Sequence, residues 1–437
     1  MARTQAKRRP FGVEPFSRRA TVVWAVVVVA LLAAGGFFMF DRLANGLSMA
    51  GATNAVPWGL WVAVYIWFSG LAGGLYLVSA LVYLLRLPRF APIARLALGG
   101  SIVSLVVSMI FIGIDLGAIR HSLGTLLFFH WSSPLAWEIK AYIFFMVVAI
   151  AQFALVLYND RGARAAVAGA ADGRKADTHR GNVNLVVRVL AGVGVATSFV
   201  GPPGGTGMFF AAVKTRGLWE GGITSVLFYV MAVVTAAAFL IVAYRLLCRL
   251  RGARPDEAAC TGLARVLAAS LFALALCVFF QLAPALLSDD PRIADAVAVM
   301  TGGYLAPLFW IGEIGLGFVV PAVLLALGAA RRSPGMVTAA SLSVMAGILA
   351  LRYVLVVAGF SVPLLAGMAP PVYVPSLGEV MVALFVLGLG VALYGLAVRF
   401  LPLEAMGPGE GVMEKTAIAG NAAVFAGPVG NEKEAAR

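Results

Sequence analysis

Apolar residues run in long blocks along this chain, broken by short polar or Pro/Gly-rich stretches. About 20 residues are needed to cross roughly 30 Å of hydrocarbon as a helix. Ten blocks meet that length or approach it: 21–40, 57–85, 93–116, 135–158, 184–201, 222–247, 263–287, 303–328, 336–359 and 377–400. The fifth is the shortest of the interior set, is rich in glycine and ends in Gly201-Pro202-Pro203-Gly204-Gly205. The breaks have the composition of turns between antiparallel helices. The pattern predicts an all-α integral membrane protein of about ten transmembrane helices over 21–400, with tails at 1–20 and 401–437.

One internal echo bears on how the helices group. Pro134-Leu135-Ala136-Trp137 opens the fourth segment and is followed by Glu138, while Pro307-Leu308-Phe309-Trp310 lies near the start of the eighth and is followed by Glu313. Four segments separate them, and both run the same way. The echo suggests that segments two to five (57–201) and six to nine (222–359) are two related four-helix bundles with a flanking helix at each end. Chance in an apolar, Trp-containing sequence is the other explanation.

Composition agrees with lipid as the main solvent. Of the 437 residues, 61% are hydrophobic and 12% charged, against roughly 25% charged in soluble domains. The formal charge of +13 could suggest a nucleic-acid partner, but its distribution points to topology instead. Lys and Arg number six in 1–20, three in 86–95, six in 161–188, five in 245–265, two in 331–332 and four from Arg399 onward, 26 of the 33 in all. The opposite set of loops holds Arg42, Arg120, Lys214, Arg216 and Arg292. The positive-inside rule then places both tails in the cytoplasm, and the membrane is expected to be a bacterial inner membrane. Cys248, Cys260 and Cys277 lack CxxC spacing, too few thiolates for an iron–sulfur cluster in this chain, and His121, His130 and His179 fall in loops or at helix ends rather than on facing helices, which argues against haem.

Ionisable groups inside a bilayer are costly and mark functional positions. Asp115, Glu138, Lys140, Glu313, Arg352 and Glu379 lie within the predicted helices, and the derived topology puts all six in the outer half. At 1.5 Å per residue, Glu313 and Arg352 lie roughly 10–15 Å deep, and a buried ion pair between them, polarising a site or forming part of a proton path, would reconcile both with hydrocarbon. Asn54, Trp58 and Trp61 begin the second helix, Arg120 and His121 follow the third, and Gln281 lies near the outer end of the seventh. Hydrogen-bond donors and acid/base groups beside aromatic rings suit a quinone, whose head needs donors at its carbonyls and a proton route. The head is expected between the outer ends of helices two, three and four. Asn54 and His121 would be hydrogen-bond partners, Asp115 and Glu138 the proton-handling groups, and Trp58 and Trp137 the walls. Ser101, Ser104 and Ser108 share one face of the third helix, more in keeping with close helix packing than with a proton path.

The run Asn54-Ala55-Val56-Pro57-Trp58-Gly59-Leu60-Trp61-Val62-Ala63-Val64-Tyr65, with Gly70-Leu71-Ala72-Gly73-Gly74, resembles the opening helix of the NrfD/polysulfide-reductase membrane-subunit family. Asp115-Leu116-Gly117 with Arg120 is similar to its DLGxxxR element, and Ser133 to Glu138 to its S-x-x-x-W-[DE] element. Arg352-Tyr353 with Gly359, and Tyr373 to Glu379, resemble the longer ten-helix branch with the HybB-like hydrogenase subunits; that branch often has a polar residue where this chain has Phe360. The resemblance implies a quinone-reactive subunit, with menaquinone or ubiquinone as substrate and no redox metal of its own. It also implies a periplasmic multi-cluster iron–sulfur subunit, wired to a catalytic subunit such as a molybdopterin enzyme, a nickel–iron hydrogenase or a multihaem cytochrome. Loops 41–56, 117–134, 202–221 and 360–376 would form the dock. A secondary transporter, with a buried Glu/Arg site, is the rival reading, and a passive anchor the third.

Overall fold

The computed structural model describes residues 16–118, 124, 127–128, 131–167, 173–363 and 368–403, the side chains of 160–181 excepted. Among the described residues the regular structure is entirely helical. The helices are α1 (Arg18–Asn45), α2 (Leu60–Tyr83), α3 (Ala91–Asp115), α4 (Pro134–Val167), α5 (Gly173–Val200), α6 (Gly204–Ala211), α7 (Gly222–Leu250), α8 (Glu257–Leu286), α9 (Pro291–Thr301), α10 (Leu308–Ala330), α11 (Pro334–Phe360) and α12 (Leu377–Phe400). Among the described residues ten spans are long and apolar enough to cross a bilayer, as the apolar blocks predict; one of them, Asn182–Ala211, joins the later part of α5 to α6. The protein is a multi-pass, all-α membrane protein.

Boundaries differ where polar residues extend an apolar core. The fourth helix begins near its expected start but runs on to Val167, and the fifth begins at Gly173 rather than 184. Two helices stand in what the sequence reads as loops. Short α6 follows the Pro202-Pro203 break, and α9 is capped by Asp290, which accepts from the Arg292 amide, with Pro291 at its first turn. Proline at that position needs no intrahelical N–H partner and presets the helical φ.

The second helix is the hub. It packs against α3, α7, α11, α5 and α12, and its glycines permit this. Gly73 lies against Pro202 and Pro203, Gly74 against Ala232 and Ala236 of α7, and Gly70 against the Arg352 guanidinium. Small residues let backbones approach where lipid offers no hydrophobic drive for helices to associate. The serines of α3 serve the same contact, Ser101 donating to the Ala72 carbonyl at 2.7 Å and Ser108 to the Tyr65 carbonyl at 3.0 Å. On the other side α10 packs on α11, with Gly317 beside Gly347. The first part of α10, Leu308–Val319, is a π-helix, a form that often marks functional positions. The outermost pair is α1 and α12.

Candidate functional site

The carboxylate of Glu138, one turn into α4, is buried in the bundle beside the N-terminal part of α2. Its Oε1 accepts from Tyr142 at 2.9 Å and from Thr206 at 2.6 Å. Tyr142 stands four residues on, the spacing that stacks side chains on one helix face, and Thr206 comes from α6. The break at Pro202-Pro203 therefore returns the chain as a short helix that supplies a hydroxyl to the site. Ser69 of α2 is hydrogen-bonded to the Tyr142 hydroxyl and lies 3.5 Å from that of Thr206. The second carboxylate oxygen, Oε2, is buried and has no partner. With Oε1 accepting two hydrogen bonds, Oε2 is the atom left to take up or release a proton.

Asp115, the last residue of α3, is half-buried. Arg42 lies beside it but spends its hydrogen bonds on the end of α3, donating from Nε to the Ile114 carbonyl at 2.7 Å and from Nη2 to that of Leu116 at 2.6 Å. The Ile114 carbonyl is among the four a helix C-terminus leaves unbonded, and that of Leu116 follows directly after the helix. Tyr65 of α2 is buried within electrostatic reach of Asp115, Glu138, Tyr142 and Arg352. Glu379 closes the same end. Its carboxylate accepts from Tyr373 at 3.0 Å and from the Ser376 amide at 2.8 Å, while Trp61 donates to its backbone carbonyl. Tyr373, outside the spans, also accepts from the Leu60 amide at 2.8 Å, and burial pushes its phenol above the ordinary range.

The other predicted residues separate. Trp58 belongs to an aromatic cluster, stacked on Trp219 at 6.0 Å and meeting Phe209, Phe210 and Phe360 at 5.4–5.9 Å. Phe360 fills that cluster, and Arg216 covers its ring at 4.5 Å. Trp137 does not share it. Its ring lies toward the surface against Trp131, its indole N–H donating to the Trp131 carbonyl at 2.9 Å. Asn54 is exposed in the loop before α2, and His121 lies outside the described residues. The expected Glu313–Arg352 ion pair is not formed. Arg352 donates to the Ile66 carbonyl of α2 and covers the Phe228 ring at 5.4 Å, with Nε and Nη2 left without partners, while Glu313 lines a separate cleft. The reason is angular: depth along a helix does not fix which way a side chain faces, and Arg352 sits on the side of α11 turned to α2.

Sequence reasoning missed Tyr65, Ser69, Tyr142 and Thr206. Two carried a signal: Tyr65 closes the run that resembles the family's opening helix, and Tyr142 lies four residues from Glu138.

These features define a helical membrane protein with a buried polar cluster gathered at one end of its hub helix. Residues 48–363 match the family described as polysulphide reductase, NrfD, and the chain belongs to that family. It is 26% identical to a subunit of the selenate reductase from Mesobacillus selenatarsenatis over 88% of this chain and 93% of that protein. It is 26% identical to protein NrfD of Escherichia coli over 70% of this chain and 96% of that one. A third relative, the Hdr-like menaquinol oxidoreductase integral membrane subunit of Archaeoglobus fulgidus, is 22% identical over 49% of this chain and 48% of its own length. The first and third of these belong to redox enzymes, and this chain is a membrane subunit of that kind.

Proposed function

We propose that this chain is the quinone-reactive subunit of a respiratory oxidoreductase complex. It passes electrons between the membrane quinone pool and an iron–sulfur subunit docked on the Glu138 end of the bundle. That end faces the periplasm in this reading, because the loops at the opposite end carry most of the Lys and Arg, and the membrane is then the bacterial inner membrane with both tails cytoplasmic. The observation that carries the reading is the Glu138 cluster: a buried carboxylate, one oxygen held by two hydroxyls and the other free.

Quinone reduction takes up two electrons and two protons to give the quinol, and quinol oxidation releases them. The electrons come from or go to the docked subunit and its catalytic partner. Protons need a group at the carbonyl oxygens that can give and regain one. Glu138 Oε2 supplies the first, with Tyr142, Thr206 and Ser69 fixing the carboxylate and linking it toward the middle of the bundle. Asp115 supplies the second. Trp58 and its aromatic neighbours form an apolar wall at the same end, while His121 and Asn54 remain candidates to bind the head from the loops above.

Purification from native membranes tests this. A cluster-bearing subunit should copurify, and the complex should reduce or oxidise a soluble quinone analogue. Isolation of the chain alone, with no redox partner, would favour a transporter.

A further inference from the structure

Outside the Glu138 cluster, the fold holds a second buried carboxylate with a space of its own. Glu313, in the π-helical part of α10, is 4% exposed and lines a cleft with Leu218, Val278, Gln281, Met300 and Val354. Unlike Glu138, it receives no hydrogen bond and forms no ion pair among the described residues. Three cations on the surrounding elements are engaged elsewhere. Arg352 of α11 turns to Ile66, Arg216 of the α6–α7 loop covers Phe360 and donates to the Gly359 carbonyl, and Arg292 of α9 pairs with Asp290. The one polar side chain that α8 brings to the cleft is Gln281, which donates to the Leu218 carbonyl at 3.2 Å.

A carboxylate cannot remain ionised and dry in such a place. The cleft lies between the ends of α8 and α10 and is bounded by Leu218 of a connecting loop and Met300 of α9, at the end of the bundle where Glu138 lies. Glu313 and Gln281 are the polar side chains in an otherwise apolar lining, and a water held between them would find polar partners on both sides. We propose that the Glu313 cleft holds a water between Glu313 and Gln281 and is a proton-exchange site, separate from the quinone site. The carboxyl gives its proton to a cleft water, leaving a carboxylate and a hydronium ion that passes to bulk water at that end, and it is reprotonated by the reverse path. The ligand is thus water, and the site belongs to the half of the protein that the Glu138 cluster does not reach.

Infrared difference spectra of the intact complex in native membranes test this. From mildly acid to mildly alkaline pH, a carbonyl band of a buried protonated carboxyl should be present, lost in Glu313→Gln, retained in Glu138→Gln and shifted to lower frequency within minutes of transfer to heavy water. A spectrum that Glu313→Gln leaves unchanged overturns the proposal. So does a band that Glu313→Gln removes but heavy water does not shift over hours, which would make the carboxyl a dry structural group. Should Glu313→Gln fail to accumulate, Val278→Phe fills the cleft and keeps the carboxyl; it should slow the heavy-water shift, and an unchanged rate overturns the proposal. Quinone turnover is a separate readout that Val278→Phe leaves intact.

Discussion

Arg352 of α11 donates to the backbone carbonyl of Ile66 in α2, so a cation from the ninth span is held against the hub of the bundle rather than paired with a carboxylate. Its position is set by the absence of a side chain on Gly70, where a Cβ would lie 3.0–3.1 Å from the guanidinium Cζ and Nη1.

Gly70→Ala should therefore destabilise the protein by about 1–3 kcal/mol, the usual cost of overpacking a well-filled interior. Arg352 is fully buried, and its Nη1 is tied to the Ile66 carbonyl. Thermal unfolding in detergent should show the loss, and an Ala variant as stable as the parent would mean that the guanidinium is free to move.

Glu138→Gln keeps shape and hydrogen bonding while removing the titratable proton. It should slow quinone turnover about 10²-fold or more, as loss of a general acid or base does, while the assembled complex still reduces an artificial dye through its partner. Thr206→Val and Tyr142→Phe each remove one hydroxyl from Oε1. Each should slow turnover by about 10- to 10²-fold, because one hydrogen bond to a charged group contributes about 1.5–3 kcal/mol. Full activity in both Glu138→Gln and Asp115→Asn would move the quinone site away from this cluster.

At the surface, Arg292 holds the Asp290 carboxyl below its ordinary range through side-chain and backbone hydrogen bonds. A carboxyl lowered in the folded state stabilises above its unfolded value and loses that contribution as pH falls through its folded value. The first turn of α9 should accordingly fray below the ordinary carboxylate range, and Arg292→Ala should shift that fraying to higher pH. Amide exchange over residues 292–296 reads the change; an unaltered pH profile in the variant would remove the role given to Arg292.

The spans were legible in the sequence because a bilayer imposes one length on every crossing segment, and the charged residues inside them stood out against an apolar background. The cluster around Glu138 was half legible. Its carboxylate was identified, but Ser69 and Thr206 are unremarkable in composition and meet Tyr142 only after α2, α4 and α6 pack. Arg42 ends an apolar run and so read as a loop residue, whereas it is buried on α1. The Glu313–Arg352 pairing went wrong because depth was readable and direction was not, and the π-helix in α10 removes the regular period from which direction could be read. Helix α9 is too short to signal a crossing, although its Asp290-Pro291 start was written plainly.

Arg42 offers the sharpest test of how the fold supports the site. Its guanidinium bonds two carbonyls at the C-terminus of α3 and lies against Trp61 at 5.8 Å, next to Asp115. In Arg42→Met the side chain keeps much of its bulk but leaves both carbonyls without these donors. An unmade buried hydrogen bond costs about 1–3 kcal/mol, so stability should fall by at least that much. The end of α3 should loosen and Asp115 should lose its nearest positive charge. Arg42→Lys restores the charge but offers a single ammonium in place of a planar fork, so it should recover the electrostatic part better than the capping part. If Asp115 handles protons, Arg42→Met should change the pH dependence of quinone turnover and Arg42→Lys should return it most of the way toward the parent profile, while both variants melt early. A pH profile that stays at the parent's position in both, alongside the lowered melting, would make Arg42 a helix cap alone and leave Asp115 outside the reaction.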